Sequence, residues 1–344
     1  MCTLATIGRF SAGMLTVFFA SCAIPASAQI TTVKQTDRIE FLHQGKLITS
    51  YLFRSGTKPV LWPIHGPDDV KMTRNYPLDA TIGGEDHDHP HHRGLWLTYG
   101  EVNGHDWWAE GKGKGIVAHH QIVDLKSSGD SATLIAEHHW VPPAESEGAH
   151  PPAVVLERCR YTIRKNREDE TIIDVESILR AAAPDQSLHF GDTKEGMFAV
   201  RVPEPMRGDK NGGQILNSVG DRQGDTWGKS AKWVDYSGPV HANNADPYGI
   251  AILVHPKSFH ADGLWHVRTY GLFAHNPFGV RDFLGNRTKT PSAVEPPHPG
   301  GFQLPAGESI HFFYRVIFHR GRWDLDGGNA RFDEFAKATP ELKP

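Results

Sequence analysis

Cysteine is nearly absent, with three in 344 residues, and two of those, Cys2 and Cys22, fall within the first thirty. Downstream, Cys159 is alone, so no disulfide forms within that part and a cysteine-rich zinc site is excluded. Set in VVLERCRYTI among strand-like residues, it reads as a packing residue rather than a nucleophile. An excess of charge is lacking too. The formal net charge is −4 with Lys and Arg scattered, which argues against a nucleic-acid groove and a polybasic membrane patch. Beyond the N-terminus no stretch approaches the roughly 18 consecutive apolar residues of a spanning helix.

The first residues carry the basic Arg9, an apolar run from Met14 to Ala20, and Ala26-Ser27-Ala28, the small-x-small pattern of signal-peptidase cleavage. The expectation is a signal peptide over residues 1–28, a mature chain from Gln29, and a periplasmic or secreted protein. Ala20-Ser21-Cys22 offers a weaker lipoprotein alternative.

Long alternating helices are missing as well. Short runs of β-branched and aromatic residues, divided by Gly, Pro, Asn and Asp, predict about a dozen antiparallel strands and exclude a βαβ layout. Hairpins are expected at His43 to Lys46, at Asn103-Gly104, around Gly129-Asp130 and at Lys165 to Glu170. In SIHFFYRVIFH, Ile310, Phe312, Tyr314, Val316 and Phe318 share one face by period two. Only NARFDEFAKAT, residues 329–339, is spaced as a helix. The reading is one large all-β domain over residues 29–344, an antiparallel sandwich with a short C-terminal helix.

What the chain has in quantity is histidine, twenty-one in all. EDHDHPHHRGLW (85–96) concentrates four of them with three acids and an arginine. An extended backbone would turn His87, His89 and His91 to one side, which suits one divalent metal such as zinc, calcium or copper. The competing reading is a polar pocket. There Arg93 offers a planar fork of donors, His91 or His92 gives or takes a proton near neutral pH, and Gly94 lets a ligand approach the backbone. A third is a solvated loop in which Arg93 merely pairs with Asp86 or Asp88.

LHFGDTKEGMFAVRV (188–202) interrupts a strand with three charges, which either pair with one another or reach water at an opening. Glu195 is the candidate general base, Lys194 its electrostatic partner, and Asp192 a hydroxyl acceptor or metal ligand. In the polar segment 212–238, Asp221, Asp225 and Trp227 suit sugar recognition, with core packing equally open for Trp227 and Trp233. His275, at a strand end, is a further substrate-binding candidate against a buried structural role. The expected partner is a small carbohydrate.

PHHRGLW, G-x-V-N-G-x-D-W-W, GDTKEGMFAVRV and the WxDYSGP piece at Trp233 to Pro239 together resemble the exported bacterial family labelled PmoA-like, or methane oxygenase PmoA, over most of the chain. The label implies a copper protein, and the family's association with sugar-degradation proteins implies a carbohydrate role. LPAGESIHFFYRVIFHRG is similar to the last hairpin of galactose-mutarotase-like sandwiches, although Ala306 intervenes in the turn. That similarity implies a supersandwich fold with a histidine acid and a glutamate base, parts that His92 and Glu195 could take. The resulting expectation is an exported epimerase, mutarotase or lyase acting by proton transfer on a sugar. The alternatives are a non-catalytic glycan-binding protein and a copper or zinc protein.

Overall fold

The computed structural model describes residues 29–146, 148–166, 168–241, 246–287 and 296–344, so the expected leader, with its cleavage site and Cys22, lies outside the described residues. Among these residues the strands form two eight-stranded antiparallel sheets. The first runs in space Ile30–Lys34, Arg38–His43, Lys46–Leu52, Val60–Ile64, Leu95–Tyr99, Gly196–Arg201, Leu272–Asn276 and Leu264–Val267. The second runs Gln214–Asn217, Trp233–Gly238, Tyr248–Val254, Ser309–Arg320, Thr171–Ala181, Val155–Lys165, Ser131–Val141 and Ile116–Ser128. A separate pair joins Leu188–Phe190 to Phe302–Leu304.

One hydrophobic cluster draws Tyr51, Leu97, Phe198 and Trp265 from the first sheet and Leu134, Tyr161, Val175, Ile252 and Tyr314 from the second. The Phe198 ring stacks on Tyr314 across the layers with centroids 4.2 Å apart. This is the large antiparallel β-sandwich that the strand pattern predicts.

The turns follow local chemistry. Gln44 and Gly45 both take positive φ, 52° and 78°, as a two-residue hairpin demands. The hairpins at Gly129-Asp130 and at Lys165 to Glu170 form as expected. Asn103-Gly104 reverses the chain through a Val102–His105 bridge, but no strand follows it. The Asp106 carboxylate captures the N–H groups of Trp108 and Ala109 and curls the backbone out of the extended form.

Along the last strand the predicted face is buried, yet Phe313 and Ile317 of the opposite face are buried too. The reason is the C-terminal helix, whose Phe332 and Phe335 cover Trp233, Leu253, Phe313 and Ile317. It spans Leu325–Phe335 and starts four residues before the expected 329, because Asp324 caps it by accepting the Gly327 N–H at 2.7 Å. A second helix, Arg281–Arg287, was not expected; seven residues are too few to show a helical period.

Strand parity in the first sheet sets the site. Trp96, Ala199, Ala274 and His266 are successive register partners and form one row on the face turned away from the second sheet. The next row, Leu97, Phe198, His275 and Trp265, faces the core between the sheets. Trp96, Ala199 and Ala274 are buried there in a cluster with Trp108 and Tyr270, and His266 is the member of the row that reaches a cavity.

Candidate functional site

On that side of the first sheet lies a cavity of about 530 Å³ lined by His89, His91, His92, Asp106, Trp108, Ala109, Lys194, Glu195, His266, Arg268 and Tyr270. The histidine loop and the acid–lysine turn, a hundred residues apart in the chain, therefore share one hollow.

The histidine loop is not extended. His89 has φ 42° and its carbonyl accepts the His92 N–H at 3.0 Å, making a turn around Pro90. Period two is lost, and the expected ligand set His87, His89, His91 is not assembled. His87 is exposed and stacks on Tyr76 at 4.4 Å, outside the cavity. Among the described residues no three His, Cys, Asp or Glu side chains are grouped to hold a metal ion. The ring of His92 instead lies in a stack, 5.5 Å from Trp96 and 4.7 Å from His89, which is itself 5.1 Å from Tyr270.

Beneath the loop, Arg74 and Arg201 are fully buried. Asp88 accepts from both, at 3.0 Å from Arg201. Burial alone would raise the Asp88 carboxyl, but Arg201, His89 and Arg74 together hold it down at about 2. Arg74 also donates to the carbonyls of Asp88, His89 and His92, so it ties down the loop backbone. The Arg201 guanidinium, 3.3 Å from His92 Nδ1, is a donor, which leaves the His92 proton on Nε2.

Desolvation keeps His91, His92 and His266 neutral. Burial, with Lys58 and His89 near, pushes His91 down to about 4. Burial, then His91 and Arg201, puts His92 well below the usual range. His266, pushed down to about 3 by burial and then by Arg268, donates Nδ1–H to the Lys194 carbonyl at 2.9 Å and so presents Nε2 as an acceptor. Trp108 adds a buried indole N–H with no acceptor among the described residues.

The turn carrying Lys194 and Glu195 is pinned from three sides. Asp192 accepts the N–H groups of Val280 and Arg281 at 2.6 and 2.9 Å, Asp282 accepts the Lys194 N–H at 3.1 Å, and Asn276 donates to the Thr193 carbonyl at 2.9 Å. Lys194 Nζ and Glu195 Oε1 are 2.6 Å apart, each side chain about a third exposed, 36% and 33%. Exposed to that degree, the pair stabilises the fold little and stays available to a ligand.

Several expected site residues lie elsewhere. Arg93 pairs with neither Asp86 nor Asp88. It meets Glu110 in a two-pronged ion pair, 2.9 and 2.7 Å, which Glu110 shares with the buried Lys58 at 2.8 Å. Gly94, with φ 57°, leaves room for the carbonyl of Leu61 on the neighbouring strand, which a Cβ would meet at 2.3 Å, rather than for a ligand. Asp192 serves as a cap for Arg281–Arg287. Asp221 is engaged by Lys229 and by Asn217 at 3.0 Å, and Asp225 is exposed on a short 3-10 turn; neither lines the cavity. Trp227 does not line it either, but stacks behind it under the Arg268 guanidinium, 4.6 Å from the ring centroid. Trp233 is core. His275, in the core-facing row, is fully buried and 3.1 Å from the Tyr314 hydroxyl.

The residues missed were Asp106, Trp108, His266, Arg268 and Tyr270. His266 and Arg268 share a face by period two, and Arg268 to Gly271 form the turn between two strands, with Gly271 at φ 103°. An arginine and a tyrosine in a glycine-closed turn after the apolar strand LWHV was the available signal.

A family profile described as a family of unknown function, DUF6807, matches residues 38–333. No curated protein matches the chain. Among solved structures, a GalM/aldose epimerase homologue from C. elegans is similar at 9% identity over 86% of this chain and 100% of that one, with TM-score 0.29. A galactose mutarotase related enzyme from Lactobacillus acidophilus is similar at 10% identity over 84% and 97%, with TM-score 0.21. Likeness at this level bears on neither substrate nor reaction.

Proposed function

Given that this chain belongs to the DUF6807 family of unknown function, we propose that its cavity binds a small carbohydrate and moves a proton on it, as an epimerase, mutarotase or lyase does. One observation carries the reading: the Lys194–Glu195 pair and the neutral His91 meet in a single open hollow walled by Trp108 and Tyr270. Aromatic faces cover the C–H bonds of a sugar, while nitrogen and oxygen groups at the wall take its hydroxyls. Glu195 accepts the proton, and the Lys194 ammonium stabilises negative charge developing on the substrate oxygen. His91 stands neutral at pH 7, so it enters as a hydrogen-bonding partner rather than as a charged acid. The copper or zinc alternative lacks support in the donor set described above. The order of residues 1–28 supports a location outside the cytoplasm.

A second reading, a non-catalytic glycan binder, is favoured by the 2.6 Å contact that engages Glu195 with Lys194. Glu195→Gln separates the two. For a sugar that the wild type binds, exchange of anomers or of carbon-bound hydrogen is followed by NMR. The enzyme reading expects a loss of about 10²-fold or more in turnover with affinity kept. A wild type that binds sugars and turns none over leaves only the binder.

A further inference from the structure

The charges around the cavity do not balance. Lys194 is met by Glu195, and Asp106 by Lys114 at 2.7 Å. Behind the wall, Arg74 and Arg201 share the single carboxylate of Asp88. His91, His92 and His266 stand neutral. Arg268 has no carboxylate partner among the described residues; its guanidinium lies 4.6 Å from the Trp227 ring centroid and 5.5 Å from that of Tyr270. Two flanking rings hold the planar fork in place without using its N–H donors, the arrangement suited to gripping a planar anion.

We propose that Arg268 is a specificity residue that receives a carboxylate, so that the ligand is an acidic sugar of the uronic acid class. This rests on the sugar reading of the same cavity. A carboxylate is favoured over a phosphate because one arginine supplies one two-pronged fork, whereas a phosphoryl group presents three oxygens and more charge. Ordinary pairing energetics then make the acid group the anchor, with the hydroxyls facing the histidines and the Lys194–Glu195 turn.

The test measures binding by calorimetry and ligand-observed NMR for D-glucuronate and D-galacturonate, their neutral parents glucose and galactose, and the 6-phosphates of both. The wild type is compared with Arg268→Gln and Arg268→Lys, whose folding is checked by circular dichroism. The expected result is at least a tenfold preference for a uronate over its neutral parent. That preference falls below about twofold in Arg268→Gln and recovers in part in Arg268→Lys, which keeps the charge but not the fork. A neutral sugar bound as tightly as its uronate, a preference that survives in folded Arg268→Gln, or a 6-phosphate bound more tightly than the uronate overturns the inference and leaves the sugar reading standing. Binding of no sugar of any kind overturns both.

Discussion

At the scale of single residues, burial holds three of the cavity's histidines, His91, His92 and His266, neutral. The unfolded chain binds a proton at His91 below about pH 6.5, while the folded protein refuses it until about pH 4. The unfolded state therefore holds more protons across that window, and stability falls as pH drops through it. His91→Asn is expected to flatten this part of the profile of melting temperature between pH 4 and 6.5; an unchanged slope would mean that His91 titrates freely in the fold. A second prediction concerns Glu110, which pairs with both Lys58 and Arg93. Burial pushes Lys58 down to about 8, opposed by Glu110. Glu110→Leu strands two cations, one of them wholly buried, and should cost roughly 3–5 kcal/mol in urea denaturation. Residue chemistry alone singled out Lys194, Glu195, His91 and His92, all of which line the cavity. It could not tell that Arg93 would be spent on Glu110, because an ion pair 17 residues apart leaves no pattern in the linear order.

Elements explain why neighbours in sequence take different fates. Ala274 packs in the outer cluster with Trp108, and His275 faces the core between the sheets, because adjacent strand residues point to opposite faces, so a register error of one would exchange them. The strand and its apolar character were legible; its parity relative to the second sheet was not, since Leu272–Asn276 is buried on both faces and shows no alternation. Two elements fix the loops at the rim. Gly94 starts Leu95–Tyr99 at a positive φ and against the carbonyl of Leu61, so Gly94→Ala should destabilise the protein by about 2–4 kcal/mol through strain and overpacking. The chemical denaturation midpoint checks it, and a loss under 0.5 kcal/mol would refute the close approach. Arg281–Arg287 and the 192–195 turn cap each other through Asp192 and Asp282. Asp192→Ala is expected to lower turnover at Glu195 more than Glu110→Leu does, although neither residue lines the cavity, because only the former frees the turn.

For the whole molecule, the fold class was readable because period-two patterning and turn residues are local, whereas the hollow comes from contacts between distant segments. It needs His266 placed on the outer face of the first sheet and segments from residues 89–92, 106–109, 194–195 and 268–270 brought together over that face. That design ties the site to the integrity of both layers. The first sheet buries its inner rows against the second, as in Phe198 on Tyr314 and His275 bonded to the Tyr314 hydroxyl. Neither sheet keeps its inner face covered alone, so the two should melt together. Trp108 reports on the cavity side of the first sheet and Trp233 on the helix-covered side of the second. Replacing each in turn with Phe assigns its fluorescence change during denaturation. The two signals and the far-ultraviolet circular dichroism should share one midpoint, and addition of a bound ligand should shift all three equally. A ligand that moves the Trp108 transition and leaves that of Trp233 in place would show that the layers unfold independently, and the hollow would then belong to one sheet alone.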